Sequence, residues 1–388
     1  MHRTLTFLRI LFLVFFLGAC NAPSQSNLLG DEPTPSPHPD TPSPAEIDAP
    51  LVESPQVIKI RFVNSLDGWG VTETQIVRTN DGGITWYDVT PPEVTETGYS
   101  MDWVVLDNNH VWLQQPDFAN YPFSGLQFRT TDGGLNWNTI ETPFSGAKVS
   151  FLDSKSGWAL ADLGVGAGSN AVAVYQTEDG GITWNLKFIN DPNHPRASDS
   201  LPLGGLKYGL TPIDMQTAWI FGVIYAPGAP YLFRTDDAGV NWIPVALPLS
   251  AGAENAELTI EQISLIGGNT LFLVMRNTSE AITTAVYVSD DYGDSWSLTP
   301  TLIPRSGAAD FLSTSELILY NREQFYVTRD AANTWSIIPP DIKFGDSFSA
   351  MDFVSISAGY VITQDPTTAH RSLYRTDDGG VTWFPLIP

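Results

Sequence analysis

From about residue 51 onward the chain alternates short apolar runs with polar turn clusters, a period-2 pattern that predicts β-strands rather than helices. One polar cluster recurs seven times as Ser/Thr-x-Asp-x-Gly-x-x-Trp. Its copies carry Thr79, Asp81, Gly83 and Trp86; Thr130, Asp132, Gly134 and Trp137; Thr177, Asp179, Gly181 and Trp184; and Thr235, Asp237, Gly239 and Trp242. They continue with Ser289, Asp291, Gly293 and Trp296; Thr328, Asp330 and Trp335, with Ala332 at the glycine position; and Thr376, Asp378, Gly380 and Trp383. Successive tryptophans are 51, 47, 58, 54, 39 and 48 residues apart, a period that marks a repeat architecture.

Each copy follows a β-rich run, such as Gln75–Arg78 or Ser372–Arg375, and leads into another, so it reads as a hairpin turn. The aspartate carboxylate can accept backbone N–H groups inside the turn. Glycine supplies a positive φ without a Cβ penalty, and tryptophan can bury a large ring over the hairpin. A second signal precedes each turn: a β-run, a polar turn, then a small residue and an aromatic. It is clearest in Ile60–Val71, Val149–Leu160 and Met351–Ile362, and weaker in Trp103–Leu113, Ile213–Gly222, Ile263–Leu273 and Phe311–Tyr320. Together the two signals give four antiparallel strands per unit, A to D, with the octapeptide between the third and fourth. Seven units predict an all-β, seven-bladed β-propeller over residues 51–388. The sixth copy, lacking its glycine and having the shortest spacing, is expected to form the most irregular blade.

In a meander the A–B and C–D turns share one face, and the B–C and D–A connections share the other. The first set is short and repetitive, whereas the second varies, with inserts at Gln114–Gly125, Asp162–Asn170, Tyr225–Tyr231 and Asn190–Gly205. Variable loops on a rigid scaffold are where binding tends to sit. Phe118, Tyr121, Phe123, Tyr225 and Tyr231 are candidate anchors there, with Arg196 beside them; packing within their own loops is the competing role.

The first nineteen residues are expected to be a signal peptide, with Arg3 and Arg9 before the apolar stretch Ile10–Leu17. Leu17–Cys20 resembles a bacterial lipobox, which implies lipidation of Cys20 and an extracytoplasmic protein of the bacterial cell envelope. Cys20 is the only cysteine, so the folded part has no disulfide or thiolate metal site. Residues 20–50 hold eight prolines and five acidic residues and no Lys or Arg, and read as an extended tether. The formal net charge of −24 becomes −26 once Arg3 and Arg9 are removed, which disfavours nucleic acid and anionic lipid surfaces. Membrane attachment is therefore expected through the lipid alone, and a monomer is expected.

The five histidines show no metal-ligand spacing, and Asp290, Asp291 and Asp294 do not fit an EF-hand, so no metal or other cofactor is expected. Gly164, Gly166 and Gly168 read as a flexible loop rather than a phosphate cradle.

The octapeptide resembles the Asp-box, or BNR repeat, in which it is a structural hairpin on propeller blades. Seven aspartates suit a scaffold better than an active site, which needs one constellation. Together the two signals resemble the photosystem II stability/assembly-factor type of Asp-box propeller, and sortilin-type and sialidase propellers more distantly. The first resemblance implies a non-catalytic lipoprotein that binds a partner through an arginine-rich surface, as an assembly factor or chaperone. The expected ligand is a protein or a glycan. The alternative is a sialidase-like glycosidase, whose site would need three arginines converging with a Tyr–Glu pair, drawn from Arg61, Arg196, Arg276, Arg305, Arg322 and Arg371.

Overall fold

The computed structural model describes residues 47–387. Cys20, the signal segment and most of the tether lie outside them. Within the described residues Ile47 is already buried, and Pro50 accepts a hydrogen bond from the Asp88 N–H. Among the described residues the strands pair antiparallel, apart from one isolated parallel bridge at Ser169↔Gly205, and three short 3₁₀ turns occur.

The sheets follow the repeat units, with one difference. Units 1, 2, 3, 6 and 7 each form their own sheet in the order A-B-C-D, as in Phe348–Phe353, Gly359–Gln364, Arg371–Thr376 and Phe384–Ile387. Units 4 and 5 share one nine-stranded sheet, so the described residues form six sheets where the repeat count predicts seven. The link is the single pair Val223↔Thr259, between strand B of unit 4 and strand A of unit 5. A fifth strand, Leu51–Val52, pairs with strand D of unit 1. All four strands of the last sheet come from unit 7, so its closure onto unit 1 uses side chains.

Every octapeptide turn folds alike. Asp81 Oδ1 accepts the N–H groups of Ile84 and Thr85 at 3.1 and 2.9 Å and the Thr79 hydroxyl at 2.9 Å, while Oδ2 accepts the Thr85 hydroxyl at 2.6 Å. The Thr79 hydroxyl oxygen in turn accepts the Gly83 N–H at 3.0 Å. The seventh position, left open in the sequence pattern, is occupied by Thr85, Asn136, Thr183, Asn241, Ser295, Thr334 and Thr382, each donating to its own aspartate. In unit 5 these bonds, led by the Ser295 hydroxyl, hold the Asp291 carboxyl down at about 2. Ala332 takes φ 63°, and its N–H still reaches the Thr328 hydroxyl at 3.1 Å. Unit 6 is a regular four-stranded sheet, contrary to the irregularity expected there.

The tryptophans are less uniform than predicted. Those at 86, 242 and 383 donate Nε1–H to the carbonyl of their own turn glycine, whereas Trp137 donates to Val89 of the preceding unit. Trp184, Trp296 and Trp335 have buried Nε1–H groups without an acceptor among the described residues.

The two sequence signals meet between neighbouring units. Trp69, Trp158 and Trp219, the strand-B aromatics of units 1, 3 and 4, pack against turn glycines Gly134, Gly239 and Gly293 of the next unit. Trp112 of unit 2 donates to the Gly180 carbonyl of unit 3 at 2.8 Å. Unit 5 has the smaller Phe272, and Ala332 of unit 6 packs in the same cluster, filling the space a tryptophan would take. This compensation accounts for an alanine at a left-handed position.

Between units 7 and 1, Tyr360 stacks on Phe62 with centroids 3.6 Å apart and donates its hydroxyl to Ser65 O at 3.1 Å. Val57, Ile60, Val77, Ile362 and Leu373 complete that core. Asp352, buried in strand A of unit 7, accepts the Phe62 N–H and pairs with Arg61 at 2.9 Å. One unit back, Asp310 repeats the device by accepting the Phe353 N–H at 2.9 Å.

Candidate interaction face

The parity argument holds in every unit: a C–D turn N–H donates to an A–B turn carbonyl, from Gly82 to Leu66 in unit 1 through to Gly379 and Ser357 in unit 7. The opposite face carries the B–C and D–A segments, which lock onto one another in units 2 to 4. Tyr121 hydrogen-bonds to Asp162, and burial first, then that carboxylate, raises its phenol pKa. Two backbone bonds tie the unit 3 hairpin to the following D–A connection: the Gly205 N–H donates to Gly168 O at 3.2 Å and the Asn170 N–H donates to Gly205 O at 3.3 Å. Tyr225 lies over Gly168, whose Cβ would meet its ring at 2.9 Å.

The structure separates the five aromatic candidates. Phe118 and Phe123 are 66% and 76% exposed, and Tyr121 and Tyr225 are also exposed. Tyr231 is 2% exposed: its ring lies against Phe233 and the Lys207 ammonium, and its hydroxyl donates to Pro202 O at 3.3 Å. It is a core residue, because the first position of strand C points inward here. Arg196 is exposed, and its backbone N–H donates to His194 Nδ1 at 3.2 Å. The Asp162–Asn170 insert is not a flexible loop. Strands B and C run on through it to the pair Gly166↔Ser169, with a bulge at Asp162–Gly164.

Three further features stand on this face, of which only Arg371 was named above, as a triad candidate. Lys207 is buried, with Nζ donating to the carbonyls of Asn170, Leu203, Gly204 and Gly205 at 2.7–3.4 Å; burial pushes it down to about 8, with Asp162 opposing. Arg371 reaches from unit 7 to Glu73 at 3.2 Å and the Tyr99 hydroxyl at 3.2 Å, clamping the closure from this side. Tyr208, Glu261 and Ser349 are bulged residues of strand A in units 4, 5 and 7, where a bulge re-aims a side chain.

The arginines that a sialidase site would need are dispersed. Arg61 pairs with Asp352, Arg276 with Glu261, Arg305 with Glu323 and Arg371 with Glu73, while Arg322 lies over Phe348. Tyr208 and Glu261 share their surroundings with one of the six, Arg276. Burial raises the Glu261 pKa, and Arg276 opposes the shift. Among the described residues no group of three His, Cys, Asp or Glu side chains could hold a metal ion, and no helix is long and apolar enough to cross a membrane.

No protein-family model matches the chain. The photosystem II assembly lipoprotein Ycf48 of Synechococcus sp. (strain CC9902) is 24% identical over 274 residues, spanning 63% of this chain and 75% of that protein. Among solved structures, Ycf48 bound to D1 peptide is similar with a TM-score of 0.52 and 17% identity, over 87% of this chain and 96% of that one. The GH74 xyloglucanase from Xanthomonas campestris gives 0.58 at 12% identity, over 87% and 55%. A PL25 ulvan lyase bound to -[GlcA(1-4)Rha3S]- gives 0.50 at 11%, over 86% and 95%. With the sheet topology, these likenesses show an all-β propeller of four-stranded antiparallel blades, similar in sequence and fold to Ycf48.

Proposed function

We propose that the chain is a non-catalytic, protein-docking propeller that assists assembly of an envelope complex, with its partner seated on the variable B–C/D–A face. The observation that carries this is the pair of exposed phenylalanines, Phe118 and Phe123, on an insert whose base is fixed by hydrogen bonds: Asp117 O accepts the Ser145 hydroxyl at 2.8 Å, and Pro122 O accepts the Ser145 N–H at 2.9 Å. Large aromatics presented on a braced loop are typical interface anchors. The similarity to an assembly lipoprotein supports the same reading. Taking the two halves of the nine-stranded sheet as separate blades would make seven, and the shared aspartate bonding of the turns supports the Asp-box reading. The dispersed arginines disfavour the sialidase alternative.

Replacing Phe118 and Phe123 together by alanine is expected to weaken partner retention at least about tenfold, at ~1 kcal/mol or more for a truncated anchor. The melting temperature should be unchanged, since both rings are exposed. Retention unchanged in quantitative co-purification from membranes would remove this loop as the docking site.

The lipid anchor belongs to the same proposal. Residues 1–19 would be cleaved, Cys20 acylated, and residues 20–50 would hold the propeller off the bilayer. Cys20→Ser is expected to abolish incorporation of labelled palmitate and release the protein from the membrane fraction. Label and membrane retention surviving in that variant would reject the anchor.

A further inference from the structure

A cavity of about 300 Å³ opens on the variable face where units 2, 3 and 4 meet. Its polar wall is Asp102, Gln114, Lys148, Asp162, Asn170 and Tyr208, and its apolar floor includes Leu160 and Val172. This volume is at the small end of ligand pockets.

The charges are balanced. Lys148 Nζ lies 3.5 Å from Asp102, and the Lys207 ammonium, also in the wall, is set against Asp162. Two carboxylates and two ammonium groups leave no net charge to reward an anion or a cation. The wall also interleaves donors with acceptors, which a hydroxyl matches because it is both.

Tyr208 supplies the remaining element. The strand-A bulge re-aims it, and its half-exposed ring offers a flat apolar surface beside the polar wall.

We propose that this cavity binds a neutral hexose residue of a glycan, with ring hydroxyls on Asp102 and Asn170 and one ring face against Tyr208. The site is separate from the protein-docking reading: the hexose can bind whether or not Phe118 and Phe123 anchor a protein.

The test titrates the full chain, in detergent, with methyl β-D-glucopyranoside, methyl β-D-galactopyranoside and methyl α-D-mannopyranoside by saturation-transfer NMR and calorimetry. Sodium glucuronate and lysine methyl ester serve as anionic and cationic probes. At least one neutral glycoside should bind saturably with a Kd of about 1–10 mM, as expected for a single small ring. Tyr208→Ala should weaken it about tenfold or more without changing the melting temperature. No saturable binding by any neutral glycoside, tighter binding of either charged probe, or binding indifferent to Tyr208→Ala would each overturn the proposal. None of these outcomes bears on the Phe118/Phe123 experiment.

Discussion

Gly293→Ala is expected to destabilise the fold by about 2–5 kcal/mol, from roughly 1–2 for a Cβ in the left-handed region and roughly 1–3 for overpacking. The residue sits at φ 80°, and the added Cβ would lie 2.3 Å from Trp219 Cζ2. Trp219 has little room to retreat, being fully buried with the Arg234 guanidinium 5.2 Å from its ring centroid. Thermal melts should show a fall of about 3–7 °C for a domain of this size. Ala332→Gly, at the matching position of unit 6, is the informative contrast. Relief of backbone strain is there offset by about 0.8 kcal/mol of lost methyl burial, so the net change should stay near zero. A large loss from Ala332→Gly together with no loss from Gly293→Ala would contradict the interlock between strand-B aromatics and neighbouring turns.

Asp352→Ala is expected to cost about 2–4 kcal/mol, because the Phe62 N–H is left buried without its acceptor and the side chain leaves a void. Asp352→Asn keeps an acceptor oxygen, loses the attraction to a half-exposed Arg61 and relieves the repulsion with Asp310, so about 1 kcal/mol or less is expected. The neighbouring Asp310 adds a pH dependence. Burial first, and the Asp352 charge second, push its carboxyl well above the usual carboxylate range, and burial raises Asp352 as well. An acid whose pKa is raised on folding holds its proton in the folded state while the unfolded chain releases it. Its contribution is therefore complete below about pH 4 and is lost as pH rises above the usual carboxylate range. Asp310→Asn should flatten that part of the stability profile and raise the melting temperature at pH 8 relative to the parent. A profile unchanged by Asp310→Asn would show that Asp310 is not the titrating group.

The strand order, the turn positions and the division into two faces were legible because they depend on spacing within about ten residues. The aspartate's acceptance of turn N–H groups was legible for the same reason, whereas the hydroxyl bonds of Thr79, Thr85 and their equivalents were not. Contacts between units were not legible. Nothing local to Trp219 marks Gly293 as its neighbour, and the merging of units 4 and 5 rests on one pair, Val223↔Thr259. Tyr231 illustrates the limit for the interaction face: an aromatic after Ala-Pro-Gly-Ala-Pro looks like a loop anchor, yet it opens strand C and is buried over Lys207. Lys207 itself was invisible, since its burial depends on four carbonyls, most of them from a connection that looked unstructured. Tyr208 was hidden likewise, because a strand bulge leaves no sequence signature.

The function rests on where the partner sits, and site-specific photocrosslinking in intact cells measures this directly. A benzoylphenylalanine at position 123 on the variable face is compared with one at position 182, where exposed Ile182 marks the turn face. A discrete protein adduct from position 123 and none from position 182 is expected. Adducts from 182 and none from 123 would place the partner on the turn face and contradict the proposed function.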